Sequence, residues 1–224
     1  MSIQFGVYDF FAYAMPGGLY LLSFIYIYAS FVGIKFDLLS NLSIVQILIV
    51  TVFGYIFGLV IDRIAIFWYR IFEPKQLAEV VFEKLKEDYP NLEFNFRGKD
   101  WAVLIAYLQR EKIETTSEIH RFNAIHIMMK NASFNFIILA VAEIILFFNN
   151  GFDLLYLIIG VSLIIASIIS ARQAVRFNKW FFKSNFEAVI AKGLEQKDLI
   201  TKRVEHGSLI QSKIAPKKQG GSKK

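Results

Sequence analysis

The chain has 224 residues, 55% of them hydrophobic and 16% aromatic, with 25 Lys and Arg against 19 Asp and Glu. It has no cysteine and only three histidines, which excludes disulfides and thiolate metal sites and leaves little scope for a histidine-rich one. The apolar residues run continuously instead of recurring at the spacing of a soluble core, and mean hydropathy is positive, so the composition points to a membrane.

Four runs are long enough to cross a bilayer as helices: Phe10 to Phe31, Ile44 to Ile61, Asn131 to Phe148 and Leu154 to Ala171. The second is eighteen residues without a formal charge, closed by Asp62 and Arg63. At about 1.5 Å per residue it spans roughly 27 Å, close to the hydrocarbon thickness. Residues 1 to 8 hold no Lys or Arg, and no small-residue cleavage site follows the first run. The first span is therefore expected to be an uncleaved anchor. Lys and Arg set the orientation. Residues 62 to 131 hold eleven, residues 172 to 224 hold thirteen, and the loops on the other side hold only Lys35. The positive-inside rule places both large polar parts and both termini in the cytoplasm of a plasma (inner) membrane protein.

Within the first span, Pro16-Gly17-Gly18 is expected to kink or break the helix. It reads either as a gate or hinge or as a packed kink. The second span carries Gly54 and Gly58 four residues apart, a pattern that lets two backbones approach within one fold or between copies. Asp62 and Arg63 are expected at headgroup depth, with a solvated pair as the plain alternative. Trp68, Tyr69 and Arg70 read as interface anchors.

Residues 73–130 form a cytoplasmic helical insert between two transmembrane hairpins, 8–72 and 131–171. After Pro74, apolar residues at helical spacing predict a helix from about Lys75 to Tyr89, stopped at Pro90. Leu92, Phe94 and Phe96 alternate with polar residues, as in a short strand. Asp100 is placed to cap a helix from Trp101 to about Lys112. Thr115 and Glu118 form a capping-box pattern that opens one long helix, uninterrupted to Asn149. The insert carries eleven acids between Asp62 and Glu118, balancing its eleven bases, which is not the charge of a nucleic-acid clamp.

Glu143 stands in the third span, about five residues from its outer end. An ionisable group at that depth costs on the order of 2.5–3.5 kcal/mol and must face protein or water. It reads as an ion-path ligand, or as one end of an interhelical hydrogen bond to Ser162 or to a tyrosine of the first span. In the fourth span Ser162, Ala166 and Ser170 make a small-residue face for helix packing. Residues 172–206 interleave aromatics with Lys and Arg, Trp180 and Lys183 among them. They are expected as a helix in the membrane interface or packed on the insert. Residues 207–224 read as a disordered basic tail. Residues 172–224 carry a net charge of +9, which suits anionic inner-leaflet lipids better than nucleic acid.

Arg121 and His126, with four residues between them, resemble the motif of HEPN-type ribonucleases, in which Arg and His act on a scissile phosphate. The alternative is two polar residues on the solvated side of a helix. No Gly-rich phosphate loop, nucleophile elbow or zinc-protease helix is present in the sequence, and no cofactor is expected.

Tyr8-Asp9-Phe10 through Pro16-Gly17, the four-span plan and the Arg121/His126 string together resemble small membrane effectors of prokaryotic antiviral defence, among them the multi-span accessory membrane proteins of type VI-B CRISPR loci. The resemblance implies a membrane-perturbing or regulatory role beside an RNA-guided or nucleotide-signalled effector. The expected fold is all-α, four transmembrane helices with a small helical cytoplasmic domain. The expected function is an oligomeric effector or regulator, not an enzyme, forming an ion-leak pore in which Glu143 and Pro16-Gly17-Gly18 line or gate the path. The alternatives are a scaffold that recruits a cytoplasmic protein partner and a membrane-tethered ribonuclease.

Overall fold

The computed structural model describes residues 3–33, 43–110 and 115–193. The predicted basic tail, most of the polar loop after the first span, and residues 194–206 lie outside them. So do the Asp9 and Thr115 side chains.

Among the described residues every regular element is helical. α1 is Ile3–Val32, α2 is Ile44–Tyr69, α3 is Leu77–Asp88, α4 is Trp101–Arg110, α5 is Thr115–Asn149 and α6 is Leu154–Ala191. Four of these, α1, α2, α5 and α6, are long and apolar enough to cross a membrane, and each expected span falls within one of them. Their outward faces are apolar. Phe53, Ile56, Val60, Ile158 and Ile165 are all more than 40% exposed, as suits helices of a membrane protein.

α1 and α2 form an antiparallel hairpin held by glycines. The expected break at Pro16 is absent, and α1 runs through it as one helix. The residues after the proline are clasped by α2, and that packing holds the helix through the lost backbone hydrogen bond. A Cβ on Gly17 would collide with the Gly54 carbonyl and lie 2.7 Å from the Gly58 nitrogen. One on Gly58 would collide with the Tyr13 carbonyl. The Gly54/Gly58 pair therefore meets α1 of the same chain.

α5 and α6 form the second hairpin. They have 35 and 38 residues, about 52 and 57 Å at the helical rise, against a hydrocarbon core of about 30 Å. The turn between them uses left-handed Gly151 and Phe152, and Asp153 caps α6 by accepting the Leu155 N–H at 3.0 Å. α6 meets α5 through Gly160, Ser167 and Ala174, and Ala171 and Asn178 of α6 are also buried. Of the expected face, Ser162 is exposed and its hydroxyl bonds back to the Ile158 carbonyl at 2.8 Å. Ala166 and Ser170 are half-buried. The packed stripe follows a roughly seven-residue repeat and includes an asparagine, which a search for small residues four apart passes over.

The surplus length of α5 and α6 carries the insert. α3 starts at Leu77, two residues after the expected start, behind a left-handed Gln76. Residues 92–96 form no strand. Phe94 and Phe96 instead turn onto Phe82, at 5.5 and 5.3 Å between ring centroids. The turn Gly98–Asp100 leads into α4, with Asp100 accepting the Arg97 N–H at 2.9 Å. α3, this turn and α4 close over the far end of α6, where Phe181, Phe182, Phe186 and Val189 are buried with Phe82, Phe96, Leu104 and Leu108. Residues 172–191 are thus the continuation of α6 and a wall of this second core.

Candidate functional site: a polar seam along α5

α5 carries six buried polar residues in an otherwise apolar stretch: His126, Lys130, Asn131, Ser133, Asn135 and Glu143. Burying such groups costs free energy unless each finds a partner, and no water competes for them within a bilayer. Their partners come from α1, α2 and α6, so the polar groups form a seam through the middle of the bundle.

Glu143 lies near the end of the bundle that carries the α5–α6 turn. It is 2% exposed. The Tyr26 hydroxyl of α1 donates to its Oε1 at 2.6 Å, so the partner is a tyrosine of the first span and not Ser162. Oε2 is buried with no hydrogen-bond partner among the described residues. On its α6 side the backbones are close: a Cβ on Gly160 would lie 3.4 Å from both the Glu143 Cβ and the Ala140 carbonyl.

Further along, the Asn135 amide donates to Ser23 Oγ at 3.0 Å, and Ser23 donates to the Leu19 carbonyl at 2.8 Å. Ser133 and Ser167 pair across α5 and α6 at 3.1 Å, and Ser133 also accepts the Trp68 indole N–H at 2.9 Å.

Towards the insert, Tyr20 donates to the Asn131 carbonyl at 2.7 Å, and the Asn131 amide donates to Asp62 at 3.1 Å. Lys130 reaches the same Asp62 oxygen at 2.8 Å, with side-chain exposures of 6% and 18%. Asp62 is therefore one half of a buried ion pair with α5, not a solvated partner of Arg63. Consecutive helix residues point about 100° apart, and Arg63 faces outward.

The seam ends beside the insert. His126 packs its ring edge-on to Tyr69 at 5.1 Å and donates from Nδ1 to the Ala174 carbonyl at 3.1 Å. Glu73 accepts the Asn178 amide at 2.7 Å and the Tyr69 hydroxyl at 3.3 Å. Burial pushes the Glu73 carboxyl above the usual carboxylate range, against those hydrogen bonds and the charges of Lys130 and Arg70.

The other expected site residues divide sharply. Gly17 and Gly18 belong to the α1–α2 contact and Pro16 is buried beside them, whereas Glu143 belongs to the α1–α5–α6 seam. Arg121 is exposed and paired with Glu118 at 3.5 Å, while His126 is 9% exposed and committed to Ala174. Five residues apart on a helix, they point about 140° from each other. Among the anchors, Tyr69 is buried and Trp68 turns inward. Arg70 is exposed and lies over Phe67 at 5.9 Å, and Trp180 lies under Arg176 at 4.6 Å. Lys183 pairs with Glu187 at 3.6 Å.

Asn131, Asn135, Ser133, Lys130, Tyr20 and Ser23 are seam residues that the sequence reading did not assign to a site. The available signal was Asn131 and Asn135 four apart, hence on one face of a spanning helix. No protein-family model, curated protein or solved structure matches the chain, so the site is read from its own residues.

Proposed function

We propose that this chain is a membrane effector or regulator that lets charge leak across the bilayer along the α1–α5–α6 seam, under control of the α3–α4 insert. The observation that carries the reading is Glu143, a buried acid with one oxygen clasped by Tyr26 and the other unpartnered among the described residues. An acid of that kind within a membrane bundle is costly, and structural packing would be served better by a neutral residue. Control is supported by continuity. α5 and α6 run without a break from Glu143 to the insert core, so a displacement of the insert reaches the seam through rigid helices.

The charge distribution supports an insert that faces the cytoplasm of a plasma membrane, where a partner or signal would engage it. A role in antiviral defence rests on the resemblance alone. The seam lies within one chain, and Gly54 and Gly58 are occupied by α1, so conduction does not require a ring of copies.

The test is ion flux into vesicles that hold the purified full-length chain. Glu143→Gln keeps the side-chain volume and an acceptor for Tyr26 but removes the acid, and it is expected to reduce flux while leaving the size-exclusion profile intact. Unchanged flux in the folded variant would remove Glu143 from the path.

A further inference from the structure

The geometry points to the proton as the charge that moves through this seam, with Glu143 Oε2 as the atom that binds it. The inference rests on the conducting role proposed above. Three buried seam atoms lack a hydrogen-bond partner among the described residues: Asn131 Oδ1, Asn135 Oδ1 and Glu143 Oε2. All three are on α5 and all three are acceptors. An occupant of the seam must therefore donate hydrogen bonds or carry positive charge, which rules out an anion.

Among cations, metal ions need an oxygen cage. Calcium takes six to eight oxygens, magnesium a full octahedron, and potassium filters replace the hydration shell with rings of carbonyls. Around Glu143 the backbone carbonyls are engaged within α1, α5 and α6. The described residues contain no group of three metal-ligating side chains. A proton needs no cage. It adds to Oε2 and converts the carboxylate to a neutral acid, while Oε1 goes on accepting from Tyr26. No protein acceptor among the described residues hydrogen-bonds Oε2, so the proton leaves to water as hydronium and the carboxylate is regenerated. Each transfer moves one proton and regenerates the donor carboxylate, so no other reactant is consumed.

The test uses full-length protein in vesicles with a pH dye inside. A potassium gradient with valinomycin sets an inside-negative potential. Release of sodium and potassium is followed in separate vesicles without valinomycin. Wild type is expected to acidify the lumen and to release sodium and potassium no faster than protein-free vesicles. Glu143→Gln is expected to return acidification to the protein-free rate, and Glu143→Asp to retain part of it. Sodium or potassium release that Glu143→Gln abolishes would overturn the proton and leave the conducting role standing. No flux of any ion would overturn both. Proton flux unchanged in folded Glu143→Gln would overturn the assignment to this residue. Should that variant misfold, Tyr26→Phe keeps the acid and removes its clasp. Proton entry altered by that change alone supports the site, and entry identical to wild type contradicts it.

Discussion

Lys130 shows how residue-level reading from sequence goes astray. It stands where polar sequence gives way to apolar, so it reads as a boundary marker, yet its side chain is 6% exposed and its amine is bonded to Asp62 from another helix. Glu143 was legible because it is a lone acid in an apolar run. The Asp62–Lys130 pair was not, because its members are far apart in the chain and each has a nearer charged or polar neighbour. Breaking a buried pair leaves an uncompensated charge, so Lys130→Met is expected to cost about 3–5 kcal/mol of stability, and adding Asp62→Asn to restore part of it. Thermal unfolding in detergent measures both, and additive losses would mean the two charges do not interact. Glycine gives a sharper contrast. Gly17→Ala drives a Cβ into the α2 backbone and is expected to cost about 1–3 kcal/mol or more. Gly18→Ala meets no heavy atom within 4 Å and is expected to be neutral or to stabilise α1 by about 0.5–1 kcal/mol. Glu73 supplies a pH dependence. Its folded carboxyl is raised above the unfolded value, so its contribution to stability is fully present below the unfolded value and is lost as pH rises through the folded one. Glu73→Gln is expected to flatten the stability profile over that window and to gain stability at neutral pH. A profile parallel to wild type would contradict the burial assigned to Glu73.

Among the elements, α6 is the one whose surroundings the sequence left open between two readings. Its apolar run ends at Ala171, where aromatics begin to alternate with bases, a composition shared by interfacial helices and by helices that carry a soluble core. Sequence cannot separate the two, because the choice depends on whether a partner surface exists. Here α3, α4 and the phenylalanines after Pro90 provide it. The same contact explains the missing strand: Phe94 and Phe96 alternate with polar residues because every second side chain reaches Phe82, not because a ladder forms. Phe186 is fully buried between Phe82 and Phe96. Phe186→Ala is expected to cost the insert about 3–5 kcal/mol and to expose residues 90–100 to protease while the spans stay protected. Cleavage of spans and insert at the same rate would show that the two cores unfold as one. Helix existence and length were the readable part, since continuous apolarity and the lack of breakers after Glu118 dictate them.

At the scale of the whole molecule, two antiparallel hairpins enclose a seam of polar groups, and the longer hairpin carries a second core at the far end of α6. The four-span plan was readable because span number follows from runs of apolar residues. The seam was not, because which faces of four apolar helices meet is decided by packing of small residues such as Gly17, Gly54, Gly58 and Gly160, and every face looks alike in hydropathy. The central claim is that charge crosses the bilayer inside a single chain. Reconstitution at decreasing protein density, down to fewer than one chain per vesicle on average, tests it most directly. Acidification per chain that stays constant, with a fraction of active vesicles matching the fraction that holds at least one chain, is the predicted result. Activity that rises faster than linearly with density and disappears from single-chain vesicles would contradict the path within the bundle and place it between copies.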